Sequence, residues 1–193
     1  MAEEGGALPH TEAGTEHFSH KFKGRLAKYR VVIDDDAVAG ELTKKGYGEK
    51  DDKKYSLRLY EALHLMKLGW LTVTAPRSEP VTFEEVVRKS LADEPMAWTK
   101  FLVYRDLRSR GYVAREGYGL GADLRVYPRG EFGKNPAKYV VIPINEGGDV
   151  KVAKLQEIID AVYRMGKEPL VAVVERRGES IYYRASKMVF EGP

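Results

Sequence analysis

The chain has 193 residues, of which 43% are hydrophobic and 32% charged, with a net charge of +3 and no cysteine. This length suits one large or two small packed units, and the missing cysteine excludes disulfides and thiolate metal sites. So small a net charge means that any nucleic-acid contact must come from a local basic patch; no apolar run approaches membrane-spanning length, and the many Lys, Arg and Glu suit a heat-adapted cytoplasmic protein.

Residues 1–20, MAEEGGALPHTEAGTEHFSH, lack apolar periodicity and read as a flexible tail. His10, His17 and His20 fall within it, with nothing to fix a ligand geometry around them. A small N-terminal α/β unit is expected over 21–95. Its elements are a strand in YRVVIDD, a short helix stopped by Gly46, and an amphipathic helix in YSLRLYEALHLMKLG with Leu57, Tyr60, Leu63 and Met66 on one face. The strand WLTVTAP follows, then a helix opened by Thr82 with Glu85 three residues on, a capping box. His64 takes a packing or surface role on the second helix.

A second unit is expected over 96–193, with a mixed sheet and helices packed on it. Its first helix, MAWTKFLVYRDLRSRG, carries Arg105, Arg108 and Arg110 on its polar side. These arginines are the candidate nucleic-acid contacts; the plainer reading is a solvated face in which Asp106 and Glu116 pair with them. Strands follow in YVARE, DLRVYP and KYVVIPI. A helix with Val152, Leu155, Ile158, Ile159 and Val162 toward the core leads to the apolar strand PLVAVVE, the turn RRGE and a last strand, SIYYRASKM.

The run FLVYRDLRSRGYVAREGYGLGADLRVYPRG resembles the signature of the archaeal and eukaryotic tRNA-intron splicing endonucleases. The order and spacing of KYVVIPI, the next helix and GKEPLVAVVERRGESIYY extend the likeness, and 40–73 resembles that family's N-terminal domain. The resemblance implies a nuclease-like α/β (α+β) fold and metal-independent, cofactor-free cleavage of pre-tRNA at bulge–helix–bulge sites. The ribose 2′-OH attacks in line, leaving a 2′,3′-cyclic phosphate and a 5′-OH. Such a reaction needs a proton transfer at each end of the displacement and a fixed cation for the charge on phosphorus. In the family these roles fall to a tyrosine, a histidine and a lysine.

Carried onto this chain, the tyrosine is Tyr127 and the lysine Lys167. The histidine position falls at Asn135 and Pro136, neither of which can serve as the acid, and all four histidines lie at or before position 64. Asp160 stands near the place of a family arginine, where a carboxylate opposes phosphate. Tyr127 therefore reads as an ordinary strand tyrosine. Lys167 reads as a cation at a helix C-terminus, with a phosphate contact as the second option. A metal-dependent nuclease would use Asp123 and an acid on the next strand, but KYVVIPI carries none.

The resemblance thus implies a structural subunit, working beside a homologous catalytic chain in a two-plus-two tetramer. The alternatives are an active enzyme that borrows His17 or His20 as acid, and a stand-alone RNA-binding module. The last strand keeps its apolar character to the end of the chain, and a free apolar edge is an aggregation hazard. Tyr182, Tyr183, Met188, Val189 and Phe190 are therefore expected at the partner interface. The mixed charge of RRGE departs from the family's acidic docking turn.

Overall fold

The computed structural model describes residues 17–51, 54–77, 79–121 and 123–186. They form an α+β structure with two mixed sheets. The first sheet holds β1 (Phe22–Leu26), β2 (Arg30–Ile33), β3 (Glu49–Asp51), β4 (Lys54–Arg58), β5 (Leu71–Thr74) and β6 (Pro80–Val81), in the order β3-β4-β2-β1-β5-β6. Helices α1 (Asp36–Lys44), α2 (Leu59–Lys67) and α3 (Phe83–Asp93) accompany it. The second unit opens with α4 (Ala97–Ser109), followed by β7 (Val113–Glu116), β8 (Leu124–Tyr127), β9 (Tyr139–Asn145), α5 (Val152–Arg164), β10 (Glu168–Val174) and β11 (Ser180–Arg184). Its sheet runs β11-β10-β9-β8-β7. Strands β9 and β10 are parallel and α5 is their crossover, while the other pairs are antiparallel.

Local chemistry sets several boundaries. Asp35 caps α1 by accepting from the amides of Ala37 and Val38 at 2.8 and 3.1 Å. The capping box at α3 forms as the sequence indicates: Glu85 N donates to Thr82 Oγ1 at 3.2 Å, and Thr82 N to Glu85 Oε2 at 2.7 Å. PLVAVVE becomes β10, an interior strand hydrogen-bonded on both sides, and β9 is the central one.

Three departures have physical causes. The stretch read as one helix from Tyr55 is strand β4 followed by α2, so Leu57 lies on a strand. Tyr55, Ser56 and Leu57 are consecutively buried between β2 and β3, a pattern that does not alternate. Strand β1 has a weak signal because Gly24 occupies an inward position; a Cβ there would sit 2.5 Å from Val31 Cγ1. Finally, the packed chain begins inside the expected tail. Phe18 is buried against Phe22, Tyr47 and Trp70, and Ser19 donates through its amide and hydroxyl to Glu41.

Helix α5 departs in the other direction. Of the five apolar positions expected to face the core, Val162 alone is buried, and Val152 is 79% exposed. The apolar stripe is real, but among the described residues Leu155, Ile158 and Ile159 are only partly covered.

The two units share one core. Leu63 and Leu65 of α2, Phe101, Val103 and Tyr104 of α4, and Val141 and Leu170 of the second sheet belong to a single cluster. At this joint His64 stacks near Tyr47 and meets Tyr104 edge-on, with ring centroids 6.3 and 5.6 Å apart. Burial, helped by the charges of Arg108, Arg105 and Lys67, lowers its pKa to about 3. The folded state therefore refuses a proton that the unfolded chain accepts below its usual pKa of about 6.5. The stability this confers is complete above that pH and drains away as pH falls toward 3. By pH 5 the loss should be about 2 kcal/mol. Glu61, whose pKa is raised by burial, acts in the opposite sense, losing stability as pH rises. Comparing unfolding free energies of wild type and His64→Leu at pH 7.5 and 5 isolates the imidazole: the wild type should lose more by about that amount, and equal losses would refute the account.

Candidate active site

Sheet topology brings the three family positions to one place. Val126 of β8 is opposite Tyr139 of β9, and Tyr139 is level with Glu168 of β10. Tyr127 follows the first of these residues, the 135–138 peptide precedes the second, and Lys167 precedes the third. All lie at the same end of three adjacent strands. The backbone closes the row: Lys138 N donates to Val126 O and Glu168 N to Lys138 O, both at 3.0 Å.

Each side chain has a defined setting. The half-buried Tyr127 ring meets Phe132 edge-on at 5.0 Å. Phe132 belongs to a turn closed by Glu131 N to Pro128 O and by the amides of Lys134 and Asn135 to Glu131 O. Arg129 pins the turn by donating from Nε to Arg110 O at 2.6 Å. Lys167 follows the positive-φ Gly166 that ends α5, as the sequence pattern requires. Its ammonium does more than meet the helix end: Nζ donates to Ala137 O at 2.6 Å and lies 5.5 Å from the centre of the Tyr118 ring. Asn135 and Pro136 are exposed, and Ala137 is buried.

No described histidine joins this cluster. His64 is in the joint, and His17 lies edge-on to Trp70 at 6.3 Å. His20 is exposed in the segment leading to β1, and His10 lies outside the described residues. Asp123, the one acid suited to a metal-dependent reading, is 2% exposed and instead holds the loop before it at Tyr118 and Leu120. It accepts from the amides of Tyr118 and Leu120 at 2.6 and 2.9 Å.

The arginines do not form a solvated stripe. Arg108 is 4% exposed, stacks on Tyr47 at 3.9 Å and donates from Nη2 to Lys45 O at 3.0 Å. Arg105 donates to Gly178 O at 3.1 Å. Arg110 pairs with Asp106 at 2.8 Å and lies over the Tyr182 ring. The expected pairing of Asp106 is met, but Glu116 serves other cations. Its carboxylate takes Lys100 at 2.6 Å and Arg58 at 3.5 Å, and accepts from Tyr60 Oη at 3.1 Å. No local pattern marks this network, because its members are far apart in the chain and its charged members each look like surface residues.

Of the expected interface residues, Tyr182 turns inward. Its hydroxyl donates to Asp106 at 2.7 Å, and burial beside that carboxylate pushes its pKa well up. Tyr183 and its neighbour Ile181 point outward, 54% and 40% exposed. Met188, Val189 and Phe190 lie outside the described residues.

Comparison with known proteins identifies the family. Residues 97–183 match the model of the tRNA intron endonuclease catalytic C-terminal domain, and residues 22–87 match that of the tRNA intron endonuclease N-terminal domain. The chain belongs to the tRNA intron endonuclease family. The tRNA-splicing endonuclease of Methanococcus vannielii is 30% identical over 82% of this chain and 90% of that protein. That of Methanothermobacter thermautotrophicus is 32% identical over 84% of this chain and 95% of that protein. The tRNA-splicing endonuclease of Methanosarcina mazei is 32% identical over 83% of this chain but only 45% of its own length. No helix among the described residues is long and apolar enough to cross a membrane.

The joint makes a direct test of the arginine assignment. Arg108→Ala should lower the unfolding free energy by about 2–4 kcal/mol, since it strips a buried cation–π stack and a charged hydrogen bond. Arg88→Ala, at an exposed site, should stay within about 0.5 kcal/mol. Urea titration of both variants checks this, and a neutral Arg108→Ala would return that residue to the surface.

Proposed function

We propose that this chain is the structural subunit of a tRNA-splicing endonuclease. It assembles with a homologous catalytic chain, two copies of each, and the assembly removes introns from pre-tRNA at bulge–helix–bulge sites without a metal ion. The observation that carries this reading is the trio at the end of β8, β9 and β10. Tyr127 and Lys167 occupy the places of base and cation, while the place between them holds Asn135, Pro136 and Ala137. A 2′-OH attack could still lose its proton, but the departing 5′-oxygen would find no donor. The ring of Phe132 against Tyr127 and the carbonyl of Ala137 on Lys167 support a vestigial site whose side chains have found structural partners. Asp160, near the place of a family arginine, adds a charge that disfavours a phosphodiester.

The uncovered apolar surface supports a partner. Val152 on α5 and Ile181 and Tyr183 on the edge strand β11 are exposed, and an unpaired apolar edge is rarely left to solvent. We place the partner there, in an interface on the order of 2,000 Å2 or more in total. The length of the Methanosarcina mazei relative is consistent with a unit that works alongside a second one.

The isolated chain should not cleave a bulge–helix–bulge RNA, with or without Mg2+; loss of one acid–base group costs ~10²–10⁴-fold. Robust turnover by the pure chain would overturn the structural role. In the assembled enzyme, Tyr127→Phe should leave the rate at saturating RNA within about twofold; a collapse to background would mean that this chain carries chemistry.

A paired substitution, Ile181→Glu with Tyr183→Glu, should leave the thermal midpoint of the isolated chain nearly unchanged, because both side chains are outward. It should abolish co-assembly as read by light scattering. An intact tetramer with this variant would place the interface elsewhere.

A further inference from the structure

Helix α3 turns a serine inward and a leucine outward. Its buried residues are Val86 and Ser90, and the Ser90 hydroxyl donates to Val86 O at 2.9 Å. Leu91, the next residue, is 44% exposed. Phe83, Val87 and Leu91 are spaced four apart and form a second apolar stripe along the helix. With Trp98 of α4, which is 38% exposed, this stripe lines an open groove of about 480 Å³ whose remaining lining residues are Glu84 and Arg88. The walls of the groove are fixed. Phe83 and Trp98 both pack on the fully buried Phe101, with ring centroids 5.9 and 5.2 Å away. A preformed apolar concavity rimmed by charge is the composition of a contact between proteins.

The charges identify what it contacts. Glu84 and Arg88 are exposed, one turn apart, on the same flank of the stripe. Neither takes part in an ion pair among the described residues. Consider a second copy of α3 laid antiparallel about a two-fold axis at Val87. Val87 then meets Val87, and Leu91 of each copy meets Phe83 of the other. The flank that carries Glu84 and Arg88 faces the same flank of the second copy, running the other way. Glu84 therefore meets Arg88 and Arg88 meets Glu84. The surface is complementary to itself in shape order and in charge, which is the requirement for an isologous contact.

We infer that α3 and the start of α4 form a self-association surface, through which two copies of this chain pair about a two-fold axis near Val87. The contact is separate from the α5 and β11 surface, and it does not rest on the proposed part in tRNA splicing. Its six lining side chains are far fewer than the ~20–30 residues a side of a stable interface, so the pair is weak and reversible. A two-fold contact closes after two copies and does not propagate.

The test is sedimentation velocity of the full chain from about 5 to 500 µM, the range of a weak contact. The parent chain carries Ile181→Glu and Tyr183→Glu, so that the other apolar surface does not contribute. Its sedimentation coefficient should rise with concentration toward that of a dimer, and Leu91→Glu should hold it at the monomer value throughout. Glu84→Arg and Arg88→Glu each bring like charges together and should weaken association by roughly 5- to 30-fold. An equimolar mixture of these two variants should associate as the parent does, because each supplies the charge that the other lacks. The double variant, with the two charges exchanged, should recover as well. Thermal midpoints of the variants keep folding defects separate. A parent that stays monomeric, association that survives Leu91→Glu, or a mixture no better than either charge variant alone would each overturn the inference. If the parent stays monomeric and Leu91→Glu in the wild-type chain instead abolishes co-assembly or RNA binding, the groove belongs to that ligand.

Discussion

Two cations on one helix hold the molecule together. Lys100 and Arg108 lie eight residues apart on α4 and are 2% and 4% exposed. A buried charge is tolerated only when it is paired and hydrogen-bonded, and these two find partners on both sides of the joint. Lys100 reaches Glu116 of β7, whose carboxylate also takes Tyr60 and Arg58 from the first unit. Arg108 crosses to the carbonyl of Lys45 and the ring of Tyr47. The apolar side chains between them complete a core common to both units. Relative motion of the units would break these contacts together, so the second sheet, and the end of it that holds Tyr127 and Lys167, is carried on a fixed frame.

That frame explains which parts of the sequence could be read locally. Helices with a cap or a glycine stop were legible, as at Thr82 and Glu85, because the signals sit within a few residues. The five strands of the C-terminal sheet, which flank glycine or proline turns, were legible for the same reason. Strands β1, β3 and β4 were not. Gly24 empties an inward position of β1, β3 has three residues, and β4 is buried without alternation. The arginines of α4 show the limit more sharply. Their spacing gives a polar face, and only the packing of α2 and the loop at Lys45 against that face turns Arg108 into a core residue. In α5 the error has the opposite sign: periodicity correctly identified an apolar stripe, but among the described residues only Val162 of it is buried.

The candidate site was legible through resemblance rather than pattern. Tyr127 and Lys167 are forty residues apart, and nothing in their spacing shows that β8 and β10 flank β9. The register makes the ends of these strands neighbours; position 136 beside them is a proline, and the described histidines are tied to the first unit or to the segment leading into it. The loop that carries Tyr118 looks like a glycine-rich turn. The buried carboxylate of Asp123, which gives the loop its shape, has no sequence signature other than its place before a strand.

The central claim is that the proton for the leaving oxygen comes from a partner chain and never from this one. The most direct measurement reconstitutes the assembly with a homologous chain whose own histidine has been changed to alanine. Single-turnover cleavage of a bulge–helix–bulge RNA should then fall by ~10²–10⁴-fold relative to the assembly with an intact partner. A rate within a few-fold of the intact assembly would mean that this chain supplies the acid, and would contradict the account.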